Sequence, residues 1–148
     1  MKKVARPNTE VIFGDFDTAE EVTSKLIPKY HPELSTANFK YICRSKSSKK
    51  GGKPVAGNVY KMSGKFKHLV GADFVLEIAL DCWNGLEPNQ RIALVDHLLS
   101  RCVGEEDEQN GEMKWKIRPP EVQEFPEIAE RHGQWCDGLI EMFKCLNK

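Results

Sequence analysis

The sequence predicts one small domain of the α+β class, and three observations carry that expectation. Its 148 residues can enclose a single hydrophobic core and hardly two. Strand character recurs in Phe39–Cys43, Val55–Met62 and Asp73–Leu80, the last with Phe74, Leu76, Ile78 and Leu80 on one face. Helical patterns begin near Asp17, Leu86, Glu121 and Trp135. Together they give three or four short strands in a mostly antiparallel sheet and about four helices, with no internal repeat.

Taken in order, residues 1–16 carry no clear period and are expected to be an N-terminal arm containing at most a short strand. Asp17-Thr18 followed by Glu20 and Glu21 opens a helix with acids in its first turn; Val22, Leu26 and Ile27 form its apolar stripe. Pro28 kinks or ends it, and His31-Pro32 closes it. Arg44–Lys53 (RSKSSKKGGK) mixes basic residues with Ser and Gly, and reads as a mobile loop at the tip of a hairpin between Phe39–Cys43 and Val55–Met62. Pro88 sits at the first position of the next helix, where its missing N–H costs nothing, and that helix is expected to reach Val103. Gly104 stops it, and an acidic loop spans 104–112. Lys114–Ile117 is a short strand broken by Pro119-Pro120, followed by helices over Glu121–His132 and Trp135–Leu146. Residues 17–148 are expected to form one domain.

Hydrophobic residues make up 40% of the chain and charged ones 30%, which excludes disordered and collagen-like classes. The charge is 22 basic against 22 acidic residues, yet it is sorted along the chain. Lys40 to Lys67 holds nine bases and no acid, whereas Asp73 to Glu130 holds fourteen acids and five bases. Zero net charge therefore hides a basic block and an acidic one, each able to steer a partner of opposite sign. Cys43, Cys82, Cys102, Cys136 and Cys145 are odd in number, form no CxxC pair, and read as free thiols of a reducing cytoplasm. No signal-peptide pattern follows Met1, and no stretch is long and apolar enough to span a membrane, so a soluble cytoplasmic protein is expected.

At 100° per residue, Ile92, Val95, Leu99 and Val103 form a core stripe on the Pro88 helix. Leu94 and Leu98 lie on the opposite side beside His97 and Arg101, so this helix sits between two layers or offers its second side to a partner.

Several segments around this helix, in their order and spacing, carry a family likeness. They are Gly71–Ile78 (GADFVLEI), Asp81-Cys82-Trp83, Gln90–His97 (QRIALVDH), Glu121–Phe125 (EVQEF), Glu130–Gly133 (ERHG) and the basic loop with Gly51-Gly52-Lys53. In these the chain resembles the phage metallopeptidases, over roughly Thr18 to Gln134. The resemblance implies a small zincin-like domain and a phage or related mobile element as its source. The family's helix carries His-Glu-x-x-His, in which two His at i and i+4 hold zinc and the Glu takes a proton from the bound water. Here those positions read His97-Leu98-Leu99-Ser100-Arg101. The first ligand is kept, Leu98 stands for the general base, and Arg101 for the second ligand. A further family His aligns with Pro120. Leucine cannot activate water, and an always-protonated arginine repels a divalent cation. The expectation is a pseudo-peptidase with no catalytic residue, no metal and no cofactor.

The first functional expectation is accordingly a non-catalytic interaction or inhibitor module. Its partner would be a host protein or ribonucleoprotein complex, such as a defence or nucleic-acid-processing complex met in the anti-CRISPR manner. Its candidate partner-binding residues are Leu94, Leu98 and Arg101 on the helix and Glu105, Glu106, Asp107 and Glu108 in the acidic loop. Arg101 has two open readings, pairing with Asp96, Glu121 or Glu124 within the domain or reaching an acidic partner. The Glu121, Glu124, Glu127 and Glu130 series adds a negative ridge. One alternative is a divergent zinc peptidase drawing ligands from His97, Cys102, His132 or His68. Another is a DNA-binding accessory protein that uses Arg44, Lys46, Lys49, Lys50 and Lys53, with Tyr41, Tyr60 and Phe66 stacking on bases. No membrane partner is expected, and the oligomeric state is open.

Overall fold

The structure is a computed structural model that describes residues 10–119. The chain divides into two compact units, Met1–Ile117 and Arg118–Lys148, and all elements below belong to the first. Pro120, the helices expected over Glu121–His132 and Trp135–Leu146, and residues 1–9 lie outside the described residues.

The arm contributes a strand after all: Phe13–Asp15 (β1). Asp17–Tyr30 forms α1, which buries Ala19, Thr23 and Leu26. Pro28 does not end it. The carbonyl that loses a partner to the proline ring is that of Ser24, an exposed residue that water can serve, so the helix continues to Tyr30. A short 3₁₀ turn, Pro32–Leu34, leads to β2, Phe39–Arg44. Next come the short strands β3 (Ser48–Lys50) and β4 (Lys53–Val55), then β5 (Gly57–Lys61). Gly64–Val70 is a helix, α2, that buries none of its residues and so left no apolar stripe to read. Phe74–Ala79 is β6, Leu80–Trp83 the one-turn α3, and Pro88–Ser100 α4.

The main sheet has the order β1-β2-β6-β5. β6 pairs in parallel with β2 (Phe39 opposite Phe74, Arg44 opposite Ala79) and antiparallel with β5 (Gly57 opposite Ile78, Lys61 opposite Phe74). β1 closes one edge, antiparallel to β2. The expected hairpin between β2 and β5 is therefore replaced by insertion of β6 between them. Every residue of β6 is buried, and only a central strand offers pairing on both edges to so apolar a segment. The Arg44–Lys53 stretch is likewise not a loose loop. Its strands β3 and β4 pair as a separate two-stranded ribbon.

One sheet face carries the core. Phe74, Leu76 and Ile78 are fully buried together with Val59, Leu34, Val95, Leu98 and Leu99. Phe74 stacks on Phe39 (centroids 5.3 Å) and meets Trp115 edge-on (5.8 Å), while Phe16 meets Trp83 edge-on at 5.3 Å. α4 turns Val95, Leu98 and Leu99 inward, whereas Ile92, expected in that stripe, is 47% exposed. The helix is rotated from the predicted stripe because Leu98 fits against the backbone of Gly57. A Cβ at Gly57 would stand 2.8 Å from Leu98 Cδ1 and 3.1 Å from the Glu77 carbonyl oxygen. The helix start matches expectation: the Glu87 N–H donates to Gln90 Oε1 (2.8 Å) and Pro88 opens the first turn.

The helix end differs. α4 stops at Ser100, and Cys102–Glu106 is a strand, β7, antiparallel to β8, Met113–Ile117. Val103 thus belongs to a strand, and the acidic loop shrinks from 104–112 to 107–112. Gly104 is not a helix stop but the seat of Trp115, opposite it in register. A Cβ at Gly104 would collide with the Trp115 ring and with Met113 Cε. The hairpin wins locally because it removes Trp115 and Cys102 from water against the core.

Two substitutions test this packing by urea denaturation of the full chain. Leu98→Ala is expected to lower stability by about 2–5 kcal/mol, as for other buried leucines. Gly104→Ala is expected to cost about 1–3 kcal/mol by overpacking against Trp115.

Candidate functional site

The C-terminal turns of α4 hold the residues singled out by sequence, and the fold sends them in different directions. His97 is exposed, while Leu98 is 1% exposed within the core. The apolar strip expected at Leu94 and Leu98 is therefore no docking surface: Leu98 faces inward and Leu94 packs half-buried against the same core. Arg101, just past the helix, is half-buried and reaches the sheet edge, where its Nη1 donates to Asn58 Oδ1 (3.3 Å). Asp96 looks elsewhere, its Oδ1 lying 2.5 Å from His31 Nε2 at the end of α1. This link between α1 and α4 had no sequence signal, because its members are 65 residues apart.

Next to Arg101, Cys102 is buried, with its thiol 3.7 Å from the Leu98 carbonyl. Burial pushes this thiol up to about 12 from an ordinary 9.0, against a smaller opposing pull from the Arg101 cation. A thiol so held stays protonated at neutral pH and is a poor nucleophile. His68 is exposed on α2, and His132 and Pro120 lie outside the described residues. Among the described residues, no three His, Cys, Asp or Glu side chains come together as a metal-holding group.

Comparison with known families gives this geometry its context. The family described as "Putative phage metallopeptidase" matches residues 15–146. The chain belongs to the phage metallopeptidase family. No curated protein and no solved structure matches it. Zinc is the metal such a family implies, and the described residues do not fit it. Along His97–Arg101, His97 is an exposed imidazole, Leu98 a core leucine and Arg101 a guanidinium engaged with Asn58. Neither Leu98 nor Arg101 offers a lone pair to a cation.

The two charge blocks interlock in the fold. Arg44 Nη1 lies 3.5 Å from Glu77 Oε1, and Lys67 Nζ 2.9 Å from Asp73 Oδ1. Asp73 also accepts the Asn38 N–H (2.9 Å), tying the start of β2 to α2. On the acidic side, Glu105 pairs with Lys116 (2.9 Å) and Asp107 with Lys114 (3.4 Å), which neutralises part of the β7–β8 hairpin. Of the four candidate acids there, only Glu106 and Glu108 make no ion pair among the described residues.

The basic candidates separate as well. Arg44 stays on the sheet beneath Glu77, its guanidinium 5.7 Å from the Phe13 ring centroid. Lys46, Lys49, Lys50 and Lys53 are exposed on or beside the ribbon. Tyr41, offered as a stacking residue, faces α1 and accepts a hydrogen bond from the Thr23 hydroxyl (2.7 Å). Its burial raises the phenol above the ordinary range. Tyr60 and Phe66 remain exposed at 40% and 57%. Sequence reasoning missed Asp81, whose carboxylate accepts the Ser47 N–H (3.0 Å), the Ser47 hydroxyl (2.9 Å) and the Cys82 N–H (2.8 Å). The Ser47 backbone N–H is the main reason its pKa falls below the usual carboxylate value.

The Cys102 environment makes a pH-dependent prediction. The unfolded thiol loses its proton first, so its contribution to stability is intact below about pH 9 and is lost as pH rises towards 12. Urea titrations between pH 8 and 11 should show a steeper fall in stability for the wild type than for Cys102→Ala. Equal slopes would disprove it.

Proposed function

We propose that this chain is a phage-encoded member of its family that does not hydrolyse peptides and acts by binding a macromolecular target in the host cytoplasm. The observation that supports this most is Leu98. By the resemblance in sequence it stands where the family has its general base, and it is a core residue packed on Gly57. Placing a carboxylate there would bury a charge among apolar side chains, at a cost of several kcal/mol. With Arg101 at the position of the second ligand, both the metal and the base would have to come from elsewhere in the chain. The target in this reading is a defence or nucleic-acid-processing complex of the host, blocked or redirected in the anti-CRISPR manner. The exposed charge on the ribbon and the residual acids of the 107–112 loop are the surfaces available to recognise it.

The test uses the full chain purified in zinc-containing buffer. Elemental analysis is expected to find no stoichiometric zinc, and incubation with unstructured protein is expected to give no chelator-sensitive cleavage. About one tightly held zinc per chain together with such cleavage would establish the divergent-peptidase alternative instead. The binding half of the proposal is tested by tagged pull-down from host cells at low salt. It requires a stoichiometric partner, and recovery of none would overturn it.

A further inference from the structure

We propose that the β3–β4 ribbon is a duplex-DNA-binding element that enters the major groove and contacts the two flanking phosphate walls through Lys49, Lys50 and Lys53. This rests on charge and backbone geometry and stands whether or not the protein hydrolyses peptides.

The first observation is which cations the fold leaves unused. Arg44, Lys67, Lys114 and Lys116 each have a carboxylate partner. Lys46, Lys49, Lys50 and Lys53 are exposed and make no ion pair among the described residues. The nearest acid in the hydrogen-bond network is Asp81 at the ribbon's base, already occupied by the three donors from Ser47 and Cys82.

The second observation is register. Lys50 stands directly opposite Lys53, and Lys49 opposite Pro54. Like charges at directly opposed positions, about 5 Å apart at their Cβ atoms, destabilise a two-stranded pair. A polyanion relieves that repulsion. Because strand side chains alternate, Lys50 and Lys53 project from one ribbon face and Lys49 from the other. Cations on both faces suit a groove with a phosphate wall on each side. A membrane surface is flat and would meet only one of them.

The third observation is that the ribbon is built to project rather than to flap. Gly51 and Gly52 have φ of 60° and 79°, the left-handed values of a two-residue hairpin turn. A Cβ at either glycine would meet nothing within 4 Å, so space is open around the two central residues of the turn. At the other end the Asp81 bonds to Ser47 hold the ribbon to the start of α3. A two-stranded ribbon fits the B-form major groove, about 12 Å wide, whereas the major groove of an RNA duplex is too narrow and deep for side chains to read.

The test is fluorescence anisotropy with a labelled 20-base-pair DNA duplex, an RNA duplex, single-stranded DNA and phosphatidylserine vesicles, on the full chain with its fold checked by circular dichroism. For wild type, DNA duplex affinity should fall about 40–150-fold between 50 and 200 mM salt, as three to four phosphate contacts require. Combined Lys49→Ala, Lys50→Ala and Lys53→Ala should weaken binding at least about tenfold and reduce the salt slope by about 3. The control Lys114→Ala with Lys116→Ala should bind as wild type does. Asp81→Ala gives a sharper readout. It removes a negative charge, so long-range attraction alone would tighten binding, whereas loss of the ribbon's anchor should weaken it. Wild-type affinity in the triple variant, tighter binding by Asp81→Ala, or preference for single strands, RNA or vesicles over the DNA duplex would each overturn the proposal.

Discussion

The described unit is organised by the need to keep β6 away from water. Its Phe74, Leu76 and Ile78 project to one face, where α1, α4 and the β7–β8 hairpin cover them, and Val75, Glu77 and Ala79 are buried on the other. Removing three such side chains from water is worth roughly 1.5–3 kcal/mol each, far more than any ion pair on this surface. A segment buried on both faces belongs in the middle of a sheet, and that placement has consequences. It separates β2 from β5, so the chain between them cannot close a simple hairpin and folds back on itself as the β3–β4 ribbon. It also brings Glu77 under the sheet surface, where Arg44 of the neighbouring strand becomes its partner.

The same constraint decides how α4 presents its side chains. α4 must cover β6 and β5, and the close seat at Gly57 draws Leu98 into the interface. Once Leu98 is there, His97 is turned to solvent and Arg101 comes to the edge of β5, within reach of Asn58. Leu98 strengthens the layer contact and, as a hydrocarbon, presents no group that could polarise water.

Charge follows a similar logic. The formal balance of 22 against 22 is partly realised as direct pairs between the basic and acidic blocks, at Arg44–Glu77 and Lys67–Asp73, because β2 and α2 lie beside β6 and its lead-in. The β7–β8 hairpin pairs its own acids with its own lysines. Among the cations that keep no carboxylate partner in the described residues are four exposed lysines on or beside the ribbon, Lys46, Lys49, Lys50 and Lys53. The field at the surface is therefore set by where such charges lie rather than by the net charge.

Local pattern by itself determined the α+β class, the central strand, and the starts of α1 and α4. Those features are written in neighbouring residues: the apolar run of β6, the acids after Asp17, and Pro88 with Gln90. Side-chain identity alone also denies Leu98 and Arg101 a lone pair for a cation. Tertiary structure decided the rest. The insertion of β6 between β2 and β5, the strand at Cys102–Glu106, the inward rotation of Leu98, the Asp81–Ser47 anchor and the survivors among the lysines are all relations between residues distant in the chain. Periodicity reports which residues share a face. Only the packed molecule settles which face meets the core, because burial belongs to the surfaces that come together and not to either one alone.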